Sequence, residues 1–290
     1  MPLHLVNKLP VGAKYMLLSA FAFALMSSCV KLVSTYGIPV FEIIAARAIV
    51  SLVISYTDVK RKRISLWGNN KKLLISRGLS GTLALLCIYY ALATLPLAEA
   101  TLLQYLYPVF TSILAIIFLH EKIQRSTILC ICCCLLGLLL IVETGSNQAL
   151  PMFSVGIAIV GAFGSAVSYT LVKRLSNSED SSVIIFYFPL IALPISALLL
   201  GNDFVLPNTQ ALLLLLFVGV FTQIGQIGLT NAMKTEDASK ATAYSYVQVI
   251  FSITIGWLFF NESPSLSTLS GGLFIVAGAL INVFYKSKKT

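Results

Sequence analysis

An arginine set in an apolar run is the residue of this chain best suited to chemistry. Arg47 lies eight residues beyond Pro39, about 12 Å into a helix that rises ~1.5 Å per residue. A guanidinium keeps its charge at any accessible pH, and placing one near mid-membrane costs several kcal/mol. It must face a cavity or a partner. One role is an electrostatic anchor for a carboxylate or phosphate. The other is a fixed pair with Glu42 or a backbone carbonyl that holds helices together. Glu42 stands five residues earlier, roughly 140° away around the helix, which is poor for direct pairing. It is better placed to meet Lys31 or to act as a protonatable gate. Lys31 itself has the reach to snorkel toward headgroups.

Amides and phenols add to this. Gln104, Tyr107, Pro108 and Thr111 share one helical face, with Tyr105 to its side. A later segment repeats the pattern with Ser245, Gln248 and Ser252, and Tyr246 beside them. Gln223 and Gln226 are three apart in another segment. Ser165 and Tyr169 fall in a fourth, and Tyr89 and Tyr90 in a fifth. Pro108 frees a carbonyl near Gln104, which then needs a partner or a wet cavity. Interhelical hydrogen bonding and an interfacial tyrosine belt would account for Tyr90, Tyr187, Tyr244 and Tyr285. Depth in the segment favours cavity lining for Gln104, Tyr107, Gln226 and Gln248. The candidate substrate-binding set is Arg47, Tyr89, Gln104, Tyr105, Tyr107, Tyr169, Gln223, Gln226, Tyr246 and Gln248.

Other chemistries find no support. There is no phosphate-binding glycine loop, so this chain has no site for hydrolysing ATP. No nucleophile–His–acid arrangement occurs, and no enzyme activity or cofactor is expected. His4 and His120 are isolated. Cys132, Cys133 and Cys134 are consecutive, and adjacent helical residues point ~100° apart, so they cannot converge on one metal ion. They read as small apolar filler in a lipid-facing helix. The stretch Met26–Cys29 faintly suggests a lipoprotein cleavage site, but nine further spans follow, so it reads as an ordinary first span. Glu121 and Glu262 end their segments and are suited to binding backbone amides at the next helix start.

The elements that hold these residues are membrane helices. The chain has 290 residues, 11% of them charged, against about 25% in a soluble domain. Mean hydropathy is +0.91. Ten segments approach the ~20 apolar residues that cross a bilayer: 14–34, 40–57, 73–94, 98–119, 126–143, 153–173, 182–200, 210–231, 239–260 and 267–285. The net charge of +9 is not a nucleic-acid footprint, because the basic residues cluster in alternate loops. Those near Lys8, Lys60 to Arg77, Lys122, Lys173, Lys234 and Lys286 carry them. Those near Gly37, Pro96, Ser146, Asn202 and Ser263 carry none. Positive-inside bias therefore predicts cytoplasmic termini.

The sequence also repeats. Shifted by 141 positions, Ala100, Thr101, Tyr105, Phe110 and Glu121 fall on Ala241, Thr242, Tyr246, Phe251 and Glu262, and Gly137 falls on Gly278. Five spans is an odd number, so the second copy must enter the membrane from the opposite side. The expected architecture is all-α and integral to the membrane: ten transmembrane helices as two inverted five-helix repeats, residues 1–145 and 146–290. Small residues at helix-packing intervals, including Ala158, Ala162 and Ala166, Gly225 and Gly228, and Gly272 and Gly278, mark close contacts.

These residues resemble the EamA-type, ten-helix branch of the drug/metabolite transporter superfamily. The likeness rests on Arg47, Tyr89 to Leu92, Ala100…Pro108-Val109-Phe110…Glu121 and Gly137, and on Ala232, Ala241…Phe251…Glu262 and Gly278. It covers nearly the whole chain. Proteins of the family often carry a proline in the ninth span as well, where this chain has Val249, so the halves are expected to bend unequally. The resemblance implies a secondary permease or exporter of a small, amino-acid-like metabolite, working by alternating access in a bacterial-type inner membrane. Spans one to four and six to nine would line its cavity. Uptake of a nucleotide-like metabolite such as S-adenosylmethionine is the alternative. An integral-membrane enzyme, or a non-transporting subunit, is the rival of another class. Membrane lipids are the expected surroundings. A coupling ion or exchanged metabolite, and a monomer or homodimer, stay open.

Overall fold

The computed structural model describes residues 9–95, 97–141, 151–261 and 266–284. Every regular element among them is helical. In order they are α1 (Val11–Ser34), α2 (Val40–Arg61), α3 (Lys71–Thr94), α4 (Leu97–Gln104), α5 (Tyr107–Leu119), α6 (Arg125–Ile141), α7 (Met152–Leu175), α8 (Ser181–Leu200), α9 (Thr209–Thr235), α10 (Ala238–Tyr244), α11 (Val247–Phe260) and α12 (Leu266–Phe284). Seven stretches are long and apolar enough to cross a bilayer: α1, α2, most of α3, α7, α8, α9 and the joined pair α10–α11. The chain is thus a multi-pass helical membrane protein.

Starts of helices follow local chemistry. Pro10, Pro39 and Pro151 directly precede α1, α2 and α7, where a missing N–H costs nothing. Asn70, Asp180 and Asn208 cap α3, α8 and α9, accepting from the N–H groups of Leu73, Ser182 and Ala211 at 3.3, 2.8 and 2.8 Å. The Asn70 cap corrects one expectation. Arg77, grouped by sequence with the basic loop, sits within α3 and is 2% exposed. The helix begins at Lys71, so six further residues carry Arg77 about 9 Å inward.

The expectation of unequal bending is also corrected. Two helices are broken, α4/α5 at Tyr105–Leu106 and α10/α11 at Ser245–Tyr246. The first break has Pro108 behind it. The second has no proline, and tightened bonds make the turn instead. Gln248 N–H donates to the Ser245 carbonyl at 2.9 Å, and Val249 N–H to that of Tyr246 at 3.0 Å. Both broken helices end alike. His120 and Asn261 adopt left-handed φ of 54° and 53° and donate to the carbonyls of Ala115 and Gly256.

Packing relies on close backbone approach. The main helix pairs are α1 with α9, α3 with α7, α2 with α8 and α6 with α12. Ser19 Oγ on α1 donates to the Gly225 carbonyl on α9 at 2.7 Å. A Cβ on Gly137 of α6 would come within 2.5 Å of the Gly271 carbonyl on α12. Cys130 and Cys134 are buried in that same contact while Cys132 is exposed, so only part of the cysteine run faces outward. Ile116, Ile117, Phe118, Leu258, Phe259 and Leu273 are exposed, as suits lipid contact.

The two ends of the bundle differ. One end, holding Lys60 to Lys62, Lys71, Lys173, Lys234 and Lys240, is basic. There a single apolar cluster joins α1, α2, α3, α5, α7, α8, α9 and α10 through Met16, Val59, Leu74, Ala115, Leu175, Ile184, Met233 and Tyr244. At the opposite end the described core is split. Val33, Ile38, Ile43, Ala211 and Leu215 join α1, α2 and α9, while Ala91, Leu95, Ala100 and Ala158 join α3, α4 and α7.

Candidate functional site

A cavity of about 170 Å³ lies between the helices, above the basic-end cluster. It is lined from α1, α2, α3, α4, α5, α7, α8, α9 and α11, and from the two breaks. Seven of the sequence-predicted residues meet there: Arg47, Gln104, Tyr105, Tyr107, Tyr169, Gln226 and Gln248. Ser27, an exposed residue toward the end of α1 away from the basic one, is also on its lining.

The broken helices bring the aromatic residues together. Tyr107 donates its hydroxyl to Ser245 Oγ, which in turn donates to the Thr242 carbonyl at 2.5 Å. Tyr246 donates to the Tyr105 carbonyl at 2.9 Å, so each break is tied to the other. Tyr105 stacks on Tyr246 with ring centres 5.7 Å apart, and Tyr107 meets Tyr169 edge-on at 5.2 Å. Tyr246 is fully buried in this arrangement. It supports Tyr105 from behind and does not reach the cavity.

Two other sequence-predicted residues also lie off the lining. Gln223 donates to Ser55 Oγ at 2.8 Å and borders a separate hollow at the basic end, beside Lys62 and Asp180. Tyr89 is half-buried on α3, just past the lining residue Ile88. In return the structure supplies Arg77. Its Nη2 donates to Gln226 Oε1 at 3.2 Å, and its guanidinium stands 5.1 Å from the centre of the Phe188 ring. Arg47 stands 5.6 Å from the same ring. Ser245, Ser165 and Ser168 add hydroxyls.

Glu42 and Glu121 hold backbone. Glu42 accepts from the Val205 N–H at 3.0 Å and does not pair with Arg47 or Lys31. Lys31 holds its ammonium 4.6 Å over the Phe260 ring. Glu121 accepts from the N–H groups of Ala238 and Ser239 at 2.8 and 3.3 Å. That is a helix start, but it is the start of α10, in the other half of the chain. Glu262, Tyr285, His4 and Ser146 lie outside the described residues. Among the described residues no His, Cys, Asp and Glu group could hold a metal ion.

At the basic end, polar ties close the bundle. Lys62 Nζ sits 3.0 Å from both Asp58 and Asp180 and donates to Ser182 Oγ at 2.7 Å. Lys173 donates to the Glu236 carbonyl at 2.6 Å. Glu179 accepts from the Asn69 and Asn70 N–H groups at 2.7 and 2.6 Å. Burial alone would raise the Asp180 carboxyl. The Ser182 N–H and the Lys62 ammonium outweigh it and hold that carboxyl below the ordinary range.

A sealed basic end, a polar cavity at mid-depth and broken helices crossing beside it define a membrane transporter. The profile of the EamA-like transporter family matches this chain twice, over residues 10–143 and 152–284. The chain belongs to that family, within the drug/metabolite transporter superfamily. It is 31% identical over 276 residues to the pseudopaline exporter CntI of Pseudomonas aeruginosa, covering 95% of this chain and 96% of the relative. It is 32% identical over 298 residues to solute carrier family 35 member G1 of Homo sapiens, covering 96% and 81%. A solved crystal structure with 19% sequence identity superposes with a TM-score of 0.79, covering 92% of this chain and 96% of that one.

Proposed function

We propose that this protein is a ten-span secondary transporter of a small, amino-acid-like organic metabolite, exchanging access to one mid-membrane site between two inverted halves. The observation that carries the reading is the polar cavity at the crossing of two broken helices. Discontinuous helices at a repeat interface are where such carriers bind substrate. The cavity volume of about 170 Å³ is below the ~300–1,000 Å³ common for drug-sized ligands, which supports a small cargo.

Inversion is supported by the helix pairs. Moving five spans along exchanges α1–α9 with α3–α7 and maps α2–α8 and α6–α12 onto themselves, as a two-fold axis in the membrane plane requires. The halves are taken as residues 1–145 and 146–290. The basic end is placed in the cytoplasm of a bacterial-type inner membrane by the charge bias. With that end sealed, the present conformation faces outward. An enzyme would need a cluster of free acid–base groups at one membrane face, and the carboxylates described above are engaged, Glu42, Glu121 and Glu179 with backbone N–H groups and Asp58 and Asp180 with Lys62.

Purified protein in proteoliposomes, screened for uptake of amino acids, nucleosides and S-adenosylmethionine, tests this reading. At least one metabolite is expected to be carried. Tyr107→Ala should abolish its transport while the protein remains folded by melting temperature. Unchanged uptake by well-folded Tyr107→Ala and Gln248→Ala variants would remove the cavity assignment.

A further inference from the structure

The cavity holds charge that no described part of the chain balances. Arg47 and Arg77 line it and are 6% and 2% exposed. Both guanidinium groups stand against one ring, Phe188, and Tyr169 is on the same lining. No Asp or Glu is on the lining. Among the described residues neither arginine forms an ion pair. Arg77 donates from Nη2 to Gln226, while its buried Nε has no acceptor.

A buried, unpaired ion costs several kcal/mol after relaxation, and a guanidinium cannot escape that cost by losing its proton. Two of them around one small cavity also repel each other. A strut holding helices together would be paired, as Lys62 is. We propose that the cavity binds a dianionic organic metabolite, one acid group on Arg47 and one on Arg77. This rests on the transporter reading above and narrows its cargo. The planar fork of each guanidinium matches a carboxylate or phosphate bidentately. Phe188 gives an apolar wall for the carbon chain between the acid groups. Gln104, Tyr105, Tyr107 and Gln248 are placed to meet its remaining polar atoms.

The test uses purified full-length protein, calorimetric titration and thermal melting. The probes are four- to six-carbon dicarboxylates, the matching monocarboxylates, and glycerol 3-phosphate. At least one dianion is expected to bind about tenfold or more tighter than its monoanionic counterpart. Arg77→Gln and Arg47→Gln should each erase that advantage and leave monocarboxylate binding nearly unchanged. Binding of the phosphate ester alone, lost in Arg77→Gln, would keep the proposal and identify phosphate as the second acid group. Without ligand, Arg77→Met should melt no lower than the parent, since it removes an unpaired charge; a clear fall there would make Arg77 a strut and overturn its role. Arg77→Lys keeps the charge without the fork and should be intermediate. Equal affinity for dianions and monoanions, or dianion binding unaffected by Arg77→Gln, overturns the proposal. Transport of a neutral metabolite that Arg77→Gln leaves intact would overturn it while sparing the transporter reading. Arg77-dependent dianion binding without transport of any kind would do the reverse.

Discussion

Gly81 lacks a side chain where Arg77 needs room. A Cβ there would fall 2.6 Å from Arg77 Nη1 and 3.0 Å from the Phe188 ring. The guanidinium is the far end of a flexible side chain, so Gly81→Ala should fold and displace Arg77 rather than break α3. An off-rotamer shift costs about 0.5–1.5 kcal/mol. The expected result is a rise in transport KM of roughly two- to tenfold, with melting temperature nearly unchanged; a KM equal to the parent's would show that Arg77 does not need that position. Arg47 was legible from sequence because apolar residues flank it on both sides. Arg77 was not, because Lys71 and Lys72 lie within two turns and drew it into the loop's charge. The signals that could have found it are the Asn70 cap, which starts the helix early, and Gly81, which opens space beside it. Tyr246 misled in a different way. Its helical face is next to the cavity, but only the packed structure fixes Tyr105 between it and the site.

Most helices were readable from apolar length and from caps, whereas the broken ones were readable only in part. Pro108 announces the first break. The second has no covalent cause, and the Tyr107–Ser245 and Tyr246–Tyr105 hydrogen bonds that accompany it are long-range contacts invisible in sequence. The pair α6–α12 lies apart from the cavity, since none of its described residues is on the lining. Gly137→Val should therefore separate stability from function. The Gly271 carbonyl is backbone and cannot swing away, so overpacking of about 1–3 kcal/mol is expected. Melting temperature should fall, while the transport rate per folded molecule stays close to the parent's; a selective loss of transport would implicate α6–α12 in the mechanism. The tie between α2 and α8 carries a pH expectation. Asp180, with its carboxyl held low, stabilises the fold above its unfolded pKa near 4 and loses that contribution as pH falls through its folded value. Closure of the basic end, followed by labelling of a cysteine introduced at Asn231 relative to a fully exposed reference cysteine, which corrects for the thiolate fraction, should be flat from about pH 5 to 8 and loosen only in stronger acid.

At the scale of the whole molecule, the described bundle is held by one broad cluster at the basic end, by two separate ones opposite, and by a fourth that joins the two helix breaks to α6, α7 and α12 through Tyr105, Tyr246, Cys134, Ala162 and Ile275. Alternating access in such a carrier means that the seal must be able to move from one end to the other. The polar ties around Lys62 then set a resting bias and do no more than that. Each exposed ion pair contributes about 0–1 kcal/mol. Lys62 joins two carboxylates and a hydroxyl across α2 and α8, so its loss should shift the resting balance by several-fold without unfolding the protein. Ser27 gives the readout, because it is exposed on the cavity lining, toward the end of α1 opposite the basic one. In a background with the native cysteines replaced, Ser27→Cys should react with a membrane-impermeant maleimide added outside intact cells. Adding Lys62→Ala should slow that reaction several-fold, as molecules spend more time open toward the basic end and closed around Ser27. A cysteine at Asn231, on the hollow at the basic end, should become no less reactive from the cytoplasmic side. Labelling of Ser27→Cys only after lysis would reverse the orientation. Labelling from outside that Lys62→Ala leaves unchanged would mean that the apolar cluster alone, from Met16 to Tyr244, holds the basic end shut.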